Sequence, residues 1–216
     1  MKLLKILLEQ EKILVPRRIK DREKNLARVT QQKIQQYIKD GSKGDLALGD
    51  TPITSLPDNL KSVGGNLYLR NTPIKSLPDN LKYVGGNLNL QGTPLKSLPD
   101  NLKVEGSLWL QLSTIESLPN NLEVGKGISL QETPIRSIPG TLKIGGDLFL
   151  NKTPIKSLPD NLKVGGSLAI GNTSIESLPK NLRVEEYFWI ENTPLAMNYT
   201  DLEIEELAYI GGSVLR

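Results

Sequence analysis

From Asp45 onward, apolar and polar positions follow a fixed cycle of 20 or 21 residues. The segment Thr51-Pro52-Ile53-Thr54-Ser55-Leu56-Pro57-Asp58-Asn59-Leu60 returns nearly unchanged from Thr72, Thr93, Ser113, Thr133, Thr153 and Thr173, and in degenerate form from Thr193. Each cycle reads approximately V-G-G-x-L-x-L-x-x-T-P-I-x-S-L-P-D-N-L-K. The Leu67-x-Leu69 pair alternates with period two behind Gly64-Gly65, which predicts a short strand entered through a tight turn. Pro73 and Pro78 exclude a helix from the return limb, which is therefore expected to be extended, polyproline-like or 3-10. The inward set of one cycle is Val63, Leu67, Leu69, Ile74, Leu77 and Leu81. Burying so few side chains does not offset the entropy of ordering a whole repeat, so the repeats fold only as a stack.

This pattern, L-x-L-x-x-[N/T]-x-[L/I]-x-x-L-P-x-x-L, resembles the short form of the leucine-rich repeat found in secreted effectors of bacterial pathogens, with similar T-P-I-x-S-L-P arrays in tailed phages. The resemblance covers residues 45–216, about four-fifths of the chain. It implies a right-handed solenoid of eight to nine coils, with a parallel concave β-sheet and an irregular polyproline-like or 3-10 convex side. The family places an asparagine after the strand. Here a hydroxyl takes that place at Thr51, Thr72, Thr93, Ser113, Thr133, Thr153, Thr173 and Thr193, and Ser213 is read as a ninth. These residues are expected to form an internal hydroxyl ladder that satisfies buried backbone groups. Local turn chemistry before proline is the alternative.

Residues 1–44 are expected to form a basic helical hairpin that caps the first coil. Leu3, Leu4, Ile6, Leu7 and Leu8 make one helical stripe, Pro16 stops it, and a second helix over about 20–39 carries Leu26, Val29, Ile34 and Ile38. At the other end Met197-Asn198-Tyr199 replaces Ser-Leu-Pro. The last strand is expected around Leu207–Ile210 with no helix beyond it, which leaves either an open edge or a site for pairing with another chain.

Charge divides the chain. Residues 1–44 hold 12 Lys/Arg against 5 Asp/Glu, and the remainder holds 15 against 19. The run Arg17, Arg18, Lys20, Arg22, Lys24 and Arg28 is a candidate contact for phosphate or an acidic partner, although it contains no aromatic residue to stack on a base. The negative array makes wrapping of nucleic acid an unfavourable reading. The chain has no Cys and no His, which removes thiolate chemistry, the commonest general base and the commonest transition-metal ligand. No Walker loop, G-x-S-x-G or metal-spaced cluster occurs, so no catalytic residue, metal site or cofactor is expected and the chain is read as a non-enzyme. The related ubiquitin-ligase effectors carry a separate catalytic domain with an essential cysteine, and this chain has no cysteine to carry that activity over. Met1–Val15 is broken by charges and has no signal-peptide cleavage pattern, and no apolar run is long enough to cross a membrane. The expected compartment is the cytosol of a bacterium or its host, or a virion for a phage protein.

In such a coil the residue between the two leucines faces the concave surface. The middle residues are Ala47, Tyr68, Asn89, Trp109, Ser129, Phe149, Ala169, Trp189 and Tyr209. Five of these nine are aromatic, half of the ten aromatics in the whole chain. Large aromatics on a rigid open surface are protein-binding anchors, although aromatics also favour strands for structural reasons. Arg70, Gln91, Gln111, Gln131, Asn151 and Glu191 flank the column on one side, with Asn66, Asn87, Asp147 and Tyr187 on the other. The expected site is therefore this aromatic column, and the expected partner is a protein. Docking as a structural or virion component through the N-terminal helices or the C-terminal edge, with self-association, is the second reading, and glycan binding is the third. Lys103, Lys143, Lys163 and Arg183 are read as part of a solvated convex row.

Overall fold

The computed structural model describes residues 21, 22 and 24–216. The period-two leucine pairs become a nine-stranded parallel sheet, with strands Leu46–Ala47, Leu67–Tyr68, Leu88–Asn89, Leu108–Trp109, Ile128–Ser129, Leu148–Phe149, Leu168–Ala169, Phe188–Trp189 and Val214–Leu215. Each strand adds beside its predecessor without slipping, so Leu67 faces Leu88 and Tyr68 faces Asn89. Both leucines of a pair, such as Leu67 and Leu69, are fully buried and stack on those of the coils above and below. Ile74, Leu77 and Leu81 close the core from the return limb. Stacked coils thus bury what a single repeat leaves open.

A second parallel sheet lies before the glycine corners. Its eight strands are Ser62–Val63, Tyr83–Val84, Lys103–Val104, Glu123–Val124, Lys143–Ile144, Lys163–Val164, Arg183–Val184 and Tyr209–Ile210. Two residues per strand give no readable alternation, which is why the sequence shows only the buried Val of each pair. The glycine corner lets neighbouring coils approach closely. A methyl group at Gly145 would lie against the carbonyl oxygen of Gly125 in the preceding coil. Lys103, Lys143, Lys163 and Arg183 each begin a strand of this sheet and point away from the core.

The first sheet carries a polar ladder beside its buried leucines. Asp45 Oδ1 accepts from the backbone N–H of Asn66 at 2.7 Å, Asn66 Oδ1 from Asn87 N–H at 2.7 Å, and Asn87 Oδ1 from Ser107 N–H at 2.7 Å. Asp147 Oδ1 accepts from Ser167 N–H at 2.8 Å. The backbone N–H and then the side-chain amide of Asn66 hold the Asp45 carboxyl below the usual range. Asn66, Asn87 and Asp147 are thereby committed to coil-to-coil bonding, and are not the free polar rim that the sequence suggested.

The hydroxyl row works differently from a ladder. Thr72 Oγ1 donates to the Leu69 carbonyl three residues earlier at 2.7 Å. Thr51, Thr93, Thr133, Thr153, Thr173 and Thr193 repeat that bond inside their own coils. Ser113, whose hydroxyl has no partner, is the exception. Local turn chemistry thus describes the geometry, with the hydroxyl satisfying a carbonyl of its own strand end.

The turn before each hydroxyl needs a left-handed residue, supplied by Asp50, Asn71, Asn172 and Asn192 among others. Leu112 occupies this position at φ 61° with its side chain 55% exposed. A leucine there carries a left-handed penalty of roughly 1–2 kcal/mol. Leu112→Asn should therefore raise stability by about 1 kcal/mol in urea denaturation. No gain, or a loss, would show that the leucine is held there by packing.

At the N-terminal side, helix α1 (residues 24–39) seats its second half on the first coil. Ile34 is fully buried in the core, and Tyr37 and Ile38 pack beside it. The Tyr37 hydroxyl lies 2.8 Å from the Ser42 carbonyl and 2.9 Å from that of Gly44, and accepts from Gly64 N–H. Leu26 and Val29, expected on the buried face, are about half exposed. The first helix expected for the hairpin falls outside the described residues.

The last coil departs from the others. Helices α2 (Pro194–Asn198) and α3 (Asp201–Leu207) replace the extended limb. Thr193 caps α2 by accepting from Ala196 N–H at 3.1 Å. Thr200 and Glu203 form a reciprocal capping box on α3, with 2.7 Å from Thr200 N–H to Glu203 Oε2. The helices lengthen the coil, so the Trp189 partner in the sheet is Leu215. The expected strand at Tyr209–Ile210 exists, but it pairs with Arg183–Val184 in the second sheet. Ser213 is likewise not a ninth hydroxyl of the row. Its carbonyl accepts from Phe188 N–H instead.

Candidate functional site

The in-register ladder sets the middle residue of every strand in one outward column. Its order is Ala47, Tyr68, Asn89, Trp109, Ser129, Phe149, Ala169, Trp189 and Leu215. Tyr68, Trp109 and Phe149 are half-buried, and Trp189 is 43% exposed. These four rings therefore share one face. Tyr209 belongs elsewhere: it extends the second sheet, where the Arg183 guanidinium lies 3.9 Å above its ring. A fixed 20-residue cycle misplaces it, because the capping signals Thr193-Pro194 and Thr200-x-x-Glu203 announce two helices that lengthen the coil.

Gln91, Gln111 and Gln131 follow the second leucine of their strands and border the column, half-buried. Arg70 holds the corresponding place one coil earlier and pairs with Asp50 at 3.2 Å. Tyr187 stands just before the Phe188–Trp189 strand and is 47% exposed. A cleft of about 440 Å³ opens between Trp109 and Phe149, with Ser129 beneath and Gln111 and Gln131 at its side. Gln111 Oε1 and Asn151 Oδ1, on the strands that bound this cleft, are buried without a hydrogen-bond partner. Of the basic run, Arg22 is an exposed helical residue, whereas Arg17, Arg18 and Lys20 fall outside the described residues.

The described residues contain no group of three or more His, Cys, Asp or Glu side chains placed to hold a metal ion. Among them no helix is long and apolar enough to cross a membrane.

No protein-family model matches the chain, and no curated protein sequence matches it. Solved structures do. A Shigella effector LRR domain aligns over 85% of this chain and 86% of its own, with a TM-score of 0.60 and 23% identity. The parallel coils and that superposition decide the fold. It is a leucine-rich-repeat solenoid. Within the leucine-rich repeat, the sheet built from the L-x-L strands is the surface on which this chain carries its aromatic column. The low identity leaves residue roles to be argued from this chain itself. Here they follow from which side chains the ladder turns outward.

Proposed function

We propose that this leucine-rich-repeat chain is a non-catalytic protein-binding module whose partner sits on the column of Tyr68, Trp109, Phe149 and Trp189. The observation that carries the reading is the placement of four aromatic rings on one outward face that the core does not need. The buried apolar residues on either side of each ring already fill the interior. Half-exposed aromatics on a rigid sheet can bury large areas on binding at low entropic cost, as binding hot spots do. The polar border of Gln91, Gln111 and Gln131 supplies donors and acceptors around the rings, with Arg70 one coil earlier on the same side and Tyr187 on the opposite flank of the column.

The test is the double variant Trp109→Ala/Trp189→Ala. Each truncation at a hot spot costs about 2 kcal/mol or more, so the affinity for a captured partner should fall by at least about a thousandfold for the pair. Far-ultraviolet circular dichroism should be unchanged, because neither ring belongs to the buried core. Undiminished capture by a folded double variant would remove the column as the site.

A further inference from the structure

Large and small residues alternate along the column. Tyr68, Trp109, Phe149 and Trp189 occupy every second strand, with Asn89, Ser129 and Ala169 between them. The three small residues are 9%, 6% and 4% exposed. Successive rings therefore wall three slots, each floored by a small side chain. The slot over Ser129 is the 440 Å³ cleft between Trp109 and Phe149. Parallel strands lie about 4.8 Å apart, so the slots recur every ~9.6 Å along the stack.

That spacing discriminates among the chains that could lie across the strands. An extended strand repeats one face every ~6.7 Å, so its second side chain would land on a ring. An α-helix presents neighbours on one face every ~4.5–6 Å, again meeting the ridges between slots. A polyproline II helix has three residues per turn and a 3.1 Å rise, and so returns to the same face every ~9.3 Å. It alone matches the slots, with a mismatch of about 0.3 Å per step.

The chemistry of the border agrees with the spacing. A polyproline II chain makes no internal hydrogen bonds, and its prolines offer carbonyl acceptors without N–H donors. A complementary face must therefore supply flat apolar walls and hydrogen-bond donors. The walls here carry the indole N–H groups of Trp109 and Trp189 and the hydroxyl of Tyr68, and the border carries glutamine amides. Gln91, Gln111, Gln131, Asn151 and Gly171 form the uncharged middle of a border that runs from Arg70 to Glu191, and Lys126 and Asp147 line the opposite side of the Ser129 cleft.

We infer that the column binds a proline-rich segment in polyproline II conformation that runs along the stack axis. An apolar side chain at every third residue enters the slots over Asn89, Ser129 and Ala169. This rests on the proposed reading of the column as the binding face and adds the class of partner.

The probe is a synthetic peptide of about twelve residues with the repeat Leu-Pro-Pro, followed by intrinsic tryptophan fluorescence and calorimetry. The control repeats Leu-Pro-Pro-Pro, which keeps the backbone conformation but shifts the leucine period to ~12.4 Å. The first peptide should bind saturably, and the control at least about tenfold more weakly. Ser129→Trp fills the central slot and should weaken the Leu-Pro-Pro peptide by about tenfold or more, as should Ala169→Phe in the next slot. Circular dichroism and Tm are read for both variants, because Ser129 and Ala169 are largely buried, and Trp109→Ala provides a loss-of-wall variant that adds no bulk and should weaken the peptide by about tenfold or more. Equal binding of both peptides, or no saturation by about 1 mM, overturns the inference. If the Leu-Pro-Pro peptide fails while a captured partner still requires Trp109 and Trp189, the ligand class falls and the binding face survives. If the tryptophans are dispensable for every ligand, the face itself falls.

Discussion

Phe188→Ala should lower stability by about 3–5 kcal/mol, the range for emptying a buried aromatic site. Phe188 is the largest fully buried side chain among the described residues. It takes the first leucine position of its strand and faces Leu168 on one side and Val214 on the other. Its neighbours cannot collapse into the vacated volume, because backbone ladders fix both adjoining strands. The Phe188 N–H donates to Ser213 and the Leu168 N–H to Tyr187. Phe188→Leu restores the residue type used by most other coils and should cost less than about 1.5 kcal/mol. Urea unfolding followed through tryptophan fluorescence, in a Trp109→Phe background so that Trp189 reports alone, measures both variants next to the lesion. A loss under about 1 kcal/mol for the alanine variant would mean that the last coil already yields around this site. Because each coil touches only its neighbours, the damage should begin as opening of the final coil.

Leu148→Asp should be worse, at about 5 kcal/mol or more, since it combines a lost leucine with an unpaired buried charge. Leu148 is fully buried in the middle of the stack and faces Ile128 and Leu168 in adjacent coils. Neither neighbour can pair with a carboxylate. Burial raises the pKa of such a carboxyl above its unfolded value, so the native state favours the protonated form. The defect is therefore largest at neutral pH and shrinks as pH falls through the raised value, the reverse of ordinary acid denaturation. Native-state hydrogen exchange should show the ladders on both sides of residue 148 opening together at neutral pH. Protection unchanged from the parent protein would contradict the one-dimensional coupling of the coils.

The repeat was legible because two independent constraints coincide in it. Leucines at alternate positions require one buried face of a strand, and prolines at fixed offsets forbid a helical return. The outward direction of Trp109 and Trp189 follows from the same alternation. Less was legible wherever a role depends on a neighbour twenty residues away. Asn66 and Asn87 look like free polar surface in one dimension, yet each accepts from the backbone of the following coil. Thr72 looks like a rung between coils and instead bonds within its own strand end at 2.7 Å. Two-residue strands such as Lys103–Val104 carry too little pattern to be read before their partners are known.

The candidate site shows the same division. A strand's pleat assigns inside and outside to Leu67, Tyr68 and Leu69 from composition alone, because slipping by one residue would expose the leucines. The place of Tyr209 was not decided at that level. Helices α2 and α3 lengthen its coil, which sends it to the second sheet beside Arg183 and brings Leu215 to the column. Alternation of rings with Asn89, Ser129 and Ala169 is written in the chain. That these become slots depends on strands stacking in register at a fixed separation.

By itself, then, the sequence determined a stack of extended coils and the side to which each strand residue points, since local sterics and apolar spacing act within one repeat. Only the tertiary structure decided which polar groups bond between coils, how the last coil ends and where the rings leave room. Those properties come from contacts between repeats, and no single repeat encodes the position of its neighbour.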